Sequence, residues 1–295
     1  LSEVTATSQI TWRDFVTLAK PGILRSNLFA AFGGFWLASR WDIDWILMVW
    51  TLIGTLLVMA SSCVFNNYLD RDLDIKMDRT RERALPSGRI EPHIVFWYGT
   101  ILGLLGLAVF IVFTNWTTVL LAIVGMIFYV IVYTAWLKRT STWSTSVGGV
   151  SGAMPPVIGY CAVSGEIDMG AFLLFAILFL WQPPHFWALG IRRKEEYRAA
   201  GFPLLPVVKG VRRTQWQMIP YVVLLIPAGI LLYVYGYVGW IFPIVSTALG
   251  LIWMYICVSG LRGADETKWA RGAFLFSIQY LLIIIFVMIV NTGRG

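Results

Sequence analysis

The chain has 295 residues, 58% of them hydrophobic and only 13% charged, with a net charge of +7. This balance excludes a soluble two-domain protein and fits an integral membrane protein, so the positive charge is read as an orientation signal, not a nucleic-acid surface. The three cysteines, Cys63, Cys161 and Cys257, lie in apolar runs without a Cys-x-x-Cys pair, which argues against a disulfide framework or a zinc site.

Residues 1–19 form a polar segment carrying Glu3, Arg13 and Asp14. It lacks a small-residue cleavage site and is read as cytoplasmic, not as a cleavable signal. Because the chain begins on Leu1, its natural start is expected to be missing or processed. A single transmembrane domain then occupies the chain. Nine apolar runs are long enough to cross about 30 Å of hydrocarbon: 22–39, 45–69, 94–113, 117–137, 143–163, 170–190, 216–236, 239–261 and 271–290. With that count, 21 of the 23 Lys and Arg residues fall on one face, and only Arg40 and Arg294 fall on the other. The positive-inside rule places the N-terminus in the cytoplasm and the C-terminus outside.

The first span opens on Lys20-Pro21-Gly22, where Pro suits a first helical turn. Arg25 and Asn27 follow about 7 to 10 Å inside the run. Arg25 either snorkels back to the headgroups or faces a ligand. The second span ends in Asn66-Asn67-Tyr68-Leu69-Asp70-Arg71-Asp72-Leu73-Asp74, followed by Asp78, Arg79 and Arg83. If the helix continues, Asn66, Asp70, Asp74 and Asp78 share one face and Asp72 points away. Such a row is either a solvated loop with weak surface pairs or a site where Mg²⁺ and a phosphate-bearing substrate relieve the repulsion. Arg and Lys would then hold phosphate oxygens. Pro86-Ser87-Gly88 predicts a turn that doubles the chain back over the cytoplasmic mouth.

The fourth span ends in an aromatic and basic interface edge that includes Tyr133, Lys138 and Arg139. The fifth carries Gly148, Gly152, Pro155 and Pro156, read either as close helix packing or as a broken helix lining a cavity. In the sixth, Pro183 and Pro184 predict a kink or restart. His185 follows at about 10 Å from the end marked by Arg192. It is either a functional group or the partner of a freed carbonyl. The next loop holds Lys194, Glu195, Glu196 and Tyr197 before a Pro and Gly turn. Its likeness to the Asp loop four spans earlier hints at internal duplication.

Two classes compete, a transporter and an enzyme acting on a lipidic phosphate substrate. Transporters place ionisable groups at the midplane, whereas these nine runs hold no Asp or Glu deep inside. The acids gather at one face, which favours the enzyme.

The pattern Asn66-x-x-x-Asp70-x-x-x-Asp74 followed by Leu85-Pro86-Ser87-Gly88 resembles the first signature of the UbiA superfamily of intramembrane prenyltransferases. Cys63 through Thr80, Gly152 through Gly159, Trp181 through Phe186 and Gly201 through Val208 are similar, more narrowly, to its haem-farnesylating branch. The resemblance implies an all-α membrane protein of nine helices around a central cavity. It implies transfer of a farnesyl group from farnesyl diphosphate to a vinyl group of haem B, with addition of water, giving haem O and diphosphate. Haem B is then a substrate and Mg²⁺ the cofactor. Asn66, Asp70 and Asp74 are the implied metal ligands. Asn67, Asp78, Arg79, Arg83, Lys138 and, with the ligand-facing alternative, Arg25 are the implied substrate contacts. His185 is the expected haem contact. Many members carry a second Asp-x-x-x-Asp where this chain has Lys194-Glu195-Glu196-Tyr197, so Lys194, Glu196 and Tyr197 are expected to form a mixed second site. A bacterial inner membrane is the implied location, with a haem A synthase or terminal oxidase assembly downstream and no nucleic acid. The close alternative is a quinone-ring prenyltransferase with the same metal chemistry.

Overall fold

The computed structural model describes residues 10–263 and 265–293. Glu3, the rest of the first nine residues of the expected N-terminal segment, and Arg294 lie outside the described residues. Helices dominate, and no strand occurs among the described residues beyond an isolated bridge between Val238 and Thr292. In chain order the helices are α1 Trp12–Leu18, α2 Pro21–Ser39, α3 Trp45–Asp74 and α4 Pro92–Phe113. Next come α5 Trp116–Ile127, which passes through a π-helical stretch Phe128–Leu137 into α6 Lys138–Thr140, then α7 Ser144–Ser164 and α8 Met169–Arg192. The short α9 Lys194–Ala200 and α10 Leu205–Val208 precede α11 Val211–Val234, α12 Ile241–Gly260 and α13 Glu266–Val290.

Local chemistry sets many of these boundaries. Asp44, Asn115, Asp168 and Asp265 accept backbone N–H bonds at the starts of α3, α5, α8 and α13, satisfying donors that have no intrahelical partner. Pro21 and Pro92 sit in the first turns of α2 and α4, where a missing N–H costs nothing.

Among the described residues, eight helices are long and apolar enough to cross a membrane, by length and composition. The first expected span is also a helix, α2, but Arg25, Ser26 and Asn27 lower its hydropathy and leave it outside those eight. Exposed Leu104, Val112, Ile244 and Phe286 give the helix bundle an apolar outer surface, the form a bilayer stabilises. The chain is a multi-pass membrane protein.

The packing centres on α7, the most buried of the eight, which lies against α2, α8 and α5. A Cβ on Gly159 would stand 2.0 Å from the Ala31 carbonyl oxygen, and one on Gly34 would stand 2.0 Å from that of Pro156. The backbones of α2 and α7 therefore meet with no side chain between them. Pro155 and Pro156 lie inside an unbroken α7, and α8 runs through Pro183 and Pro184 without the expected restart. Gln182 Nε2 reaches across to the Gly149 carbonyl at 2.9 Å while also bonding that of Leu178 at 3.1 Å, which ties α8 to α7 one residue before Pro183.

Gly159→Ala and Gly34→Ala should each destabilise the protein by about 1 to 3 kcal/mol, because backbone atoms cannot move aside as a side chain can. Thermal unfolding of purified protein in detergent checks this, with Gly272→Ala, whose Cβ would meet nothing within 4 Å, as the control.

Candidate active site

At the mouth of a central cavity of about 450 Å³, α3 presents Asn66, Asp70 and Asp74, one turn apart. All three are buried, at 3%, 2% and 3% exposure, and all three line the cavity. Each meets its own cation. Lys20 donates to Asn66 Oδ1, Lys138 to Asp70 Oδ2, and Arg83 to Asp74 Oδ2 at 2.9 Å. A buried carboxylate without such a partner would be very costly.

These cations arrive from three separate directions. Lys20 sits at the α1–α2 corner in the left-handed backbone region, φ 54° and ψ 68°, a conformation that costs a non-glycine residue energy and is found at functional sites. Burial, with Lys138 and Arg83 nearby, pushes the Lys20 ammonium down to about 8. Lys138 ends the π-helical stretch, where its N–H bonds to the Tyr133 carbonyl five residues back. In a plain α-helix Tyr133 and Lys138 would lie about 140° apart; here both line the cavity, with Tyr129. Thr134, inside that stretch, accepts from Asn66 Nδ2 at 3.1 Å and donates to the Tyr129 carbonyl at 2.7 Å. Arg83 comes from the loop after α3 and also bonds Asn67 Oδ1 at 3.1 Å.

The oxygen set suits a hard divalent cation. Asp70 Oδ1 is buried with no hydrogen-bond partner among the described residues, and Arg139 Nη2 stands 3.8 Å from it. Among the described residues no group of three or more His, Cys, Asp or Glu side chains forms a metal site. Two carboxylates and an amide oxygen are therefore a partial shell. Mg²⁺ fits such a shell, since it is usually held by one or two carboxylates together with substrate phosphates.

Two loops cover the mouth. The loop after α3 folds back through a turn at Gly88, φ +75°, and buries Met77, Ala84, Leu85 and Ile90. Its Met77 packs with Ala200 and Phe202 from the loop after α8, beside Tyr197. Arg79 lines the cavity from the first loop, and Tyr197, Phe202 and Leu204 line it from the second. Burial lowers the Arg79 pKa, and Tyr197, Arg193 and Glu196 stand close enough to act on its charge.

Below the charged mouth the wall turns apolar, with Val58, Met126, Met154, Ile158, Leu178 and Leu281. His185 stands on this wall, 9% exposed. Its ring stacks on Trp181 and Phe274, with centroids 4.4 and 4.8 Å away, and its Nδ1 lies 2.6 Å from Ser277 Oγ.

Several expected residues sit elsewhere. α3 stops at Asp74, whose carbonyl accepts from the Thr80 hydroxyl at 2.7 Å, so the helix does not carry Asp78 onto the shared face. Asp78 is exposed and pairs with Arg81 at 3.0 Å. Arg25 is exposed and outside the cavity lining, on a different face of α2 from the lining residues Ser26 and Asn27. Asn67 is buried beside the site but does not line the cavity; its amide donates to the Leu18 carbonyl at 2.8 Å while its oxygen holds Arg83. Lys194 and Glu196 are outside the lining too, because the first turn of α9 directs Glu196 to Arg193, 3.6 Å away, and only Tyr197 reaches the cavity. Asp72 points away, as the spacing predicts, and pairs with Arg139 at 2.8 Å. Lys20 was not singled out as a site residue from sequence; its place beside Pro21 at the start of a span was the available signal.

The UbiA prenyltransferase family matches residues 27–278. The chain is similar to "Protoheme IX farnesyltransferase 1" of Bacillus subtilis, 46% identical over 98% of this chain and 93% of that protein. It is also similar to "Protoheme IX farnesyltransferase" of Alkalihalophilus pseudofirmus, at 42% identity over 98% of this chain and 93% of the relative. Among solved structures, one concerning digeranylgeranylglyceryl phosphate synthase superposes with a TM-score of 0.79 at 19% identity, covering 95% of this chain and 97% of that one. A UbiA homolog from Archaeoglobus fulgidus bound to GPP and Mg²⁺ gives 0.70 at 17% identity, covering 94% and 99%. These two likenesses are of fold.

Lys138→Met should lower stability by about 3 kcal/mol, because it strands the buried Asp70. Asp72→Ala breaks a pair whose acid is more than half exposed and should cost no more than about 1 kcal/mol. Unfolding of the two purified variants in detergent measures the difference.

Proposed function

The chain belongs to the UbiA prenyltransferase family, and on that premise we propose that it transfers the farnesyl group of farnesyl diphosphate to a vinyl group of haem B, with addition of water, to give haem O and diphosphate. The relatives' names supply the donor and acceptor classes. The observation that carries the reading is the polarity of one cavity, with buried acids and cations at its mouth and an apolar wall beyond them. A molecule with a diphosphate head and an isoprenoid tail matches that division in both charge and polarity.

In this reading Asn66, Asp70 and Asp74 hold Mg²⁺, which supplies positive charge to the diphosphate. Lys20, Lys138, Arg79 and Arg83 take the phosphate oxygens and stabilise the charge that develops on them as the carbon–oxygen bond breaks. Asn67 positions Arg83 from behind. The apolar wall keeps water from the allylic cation, and the cavity-lining rings of Tyr129, Tyr133, Trp181 and Phe186 offer it their faces. The vinyl carbon forms the new bond to the farnesyl carbon; water adds to the neighbouring carbon and gives up one proton. His185 contacts the haem or that water. The loops over the mouth face the cytoplasm, the C-terminus lies outside, and the membrane is a bacterial inner membrane.

Purified protein supplied with farnesyl diphosphate, Mg²⁺ and haem B should yield a product with the mass of haem B plus one farnesyl group and one hydroxyl, which is the mass of haem O. Asp70→Ala and Asp74→Ala should abolish turnover and Asp72→Ala should reduce it far less. Prenylation of a hydroxybenzoate or naphthoate with haem left untouched would overturn the acceptor and leave the metal chemistry standing.

Cysteine labelling from outside the cell should not reach Asp72→Cys or Lys194→Cys. Labelling of either would overturn both the orientation and the cytoplasmic site.

A further inference from the structure

Four side chains form a compact unit on the cavity wall: Trp181 and His185 from α8, and Phe274 and Ser277 from α13. Ser277 itself is fully buried and outside the cavity lining. Its backbone carbonyl accepts from Trp181 Nε1 at 2.8 Å. Its hydroxyl oxygen lies 2.6 Å from His185 Nδ1 and 2.6 Å from the Phe274 carbonyl oxygen.

A hydroxyl has one proton and a carbonyl oxygen has none. At 2.6 Å the Phe274 carbonyl can only accept, so the Ser277 proton goes there. The Ser277 oxygen is then the acceptor toward His185, and the proton of that bond belongs to Nδ1. In a neutral imidazole this leaves Nε2 bare. Trp181 and Phe274 stack on the ring, Phe186 meets it edge-on with centroids 5.0 Å apart, and Ser277 occupies its Nδ1 side. Nε2 is the ring nitrogen left without a hydrogen-bond partner among the described residues, on a side chain that lines the cavity.

We infer that Ser277 is a positioning residue that holds His185 in the Nδ1–H tautomer, so that the cavity receives a lone pair at Nε2 and no N–H. The group can accept a proton or coordinate a metal centre, and it cannot donate. Holding the far ring N–H in a hydrogen bond is the way proteins fix the tautomer and orientation of a metal-ligating histidine. The tautomer follows from this geometry alone; its use in turnover rests on the haem-farnesylating reaction proposed above.

The chain has two histidines, and His93 is an exposed residue beside Glu91. His93→Gln therefore leaves a single imidazole, whose tautomer ¹⁵N NMR of histidine-labelled protein in detergent reads without any ligand. The parent should show a protonated Nδ1 and a bare Nε2. Ser277→Ala should lose that preference, with the Nε2–H form appearing, and Ser277→Thr should keep it. In turnover with farnesyl diphosphate and haem B, Ser277→Ala should lower kcat by about tenfold or more with KM for farnesyl diphosphate unchanged, and Ser277→Thr should restore most of the rate. An Nε2–H imidazole in the parent, or a Ser277→Ala protein with parental tautomer and kcat, overturns the inference. If the tautomer follows Ser277 while the parent farnesylates no haem, Ser277 still sets the imidazole and the proposed reaction is the part that fails.

Discussion

The structure depends on the pairing of buried acids with cations brought from distant parts of the chain. Asp70 and Asp74 lie at membrane-helix depth of burial, where an isolated carboxylate is far too costly to keep charged. Lys138 and Arg83 offset that cost, and Lys20 donates to the neutral amide oxygen of Asn66 beside them. Because the three cations come from the α1–α2 corner, the loop after α3 and the end of the π-helical stretch, the site cannot form until all three are in place.

That arrangement also prepares the site for an anion. Lys138 and Arg83 are held beside acids and Lys20 beside the Asn66 amide, while Asp70 Oδ1 has no hydrogen-bond partner among the described residues. In the reading proposed above, Asn66, Asp70 and Asp74 would hold the metal, and Lys20, Lys138 and Arg83 would be placed to take phosphate oxygens. Preorganised charge of this kind lowers the reorganisation needed as a leaving group develops its charge. The loops above the mouth meet through Met77, Ala200 and Phe202, an apolar contact well suited to exclude water from the same place.

Deeper in the bundle, close backbone contact does the positioning. Gly34 and Gly159 let α2 and α7 touch, and Gln182 ties α8 to α7 at Gly149. α13 then locks the α8 wall through Ser277, which engages both Trp181 and His185. The α8 wall thus meets the cavity with Leu178, Trp181, Phe186 and Leu189 beside Gln182 and the His185 ring.

The sequence by itself determined the helical membrane class, eight of the spans by length and hydropathy, and the Asn66, Asp70 and Asp74 row, because apolar run length and a four-residue spacing are properties of the local chain. It also placed Asp72 off that face, since one residue's rotation of about 100° is fixed by helix geometry. Only the tertiary structure decided where α3 stops, because the Thr80 hydroxyl that donates to the Asp74 carbonyl comes from the following loop, and Asp78 leaves the row. It alone revealed the π-helical register that brings Lys138 round to Asp70, since i→i+5 bonding leaves no mark in hydrophobic periodicity. Lys20 and Ser277 lay hidden for the same reason: each acts on a residue 46 or 92 positions away, and such a partnership exists only once the helices have packed.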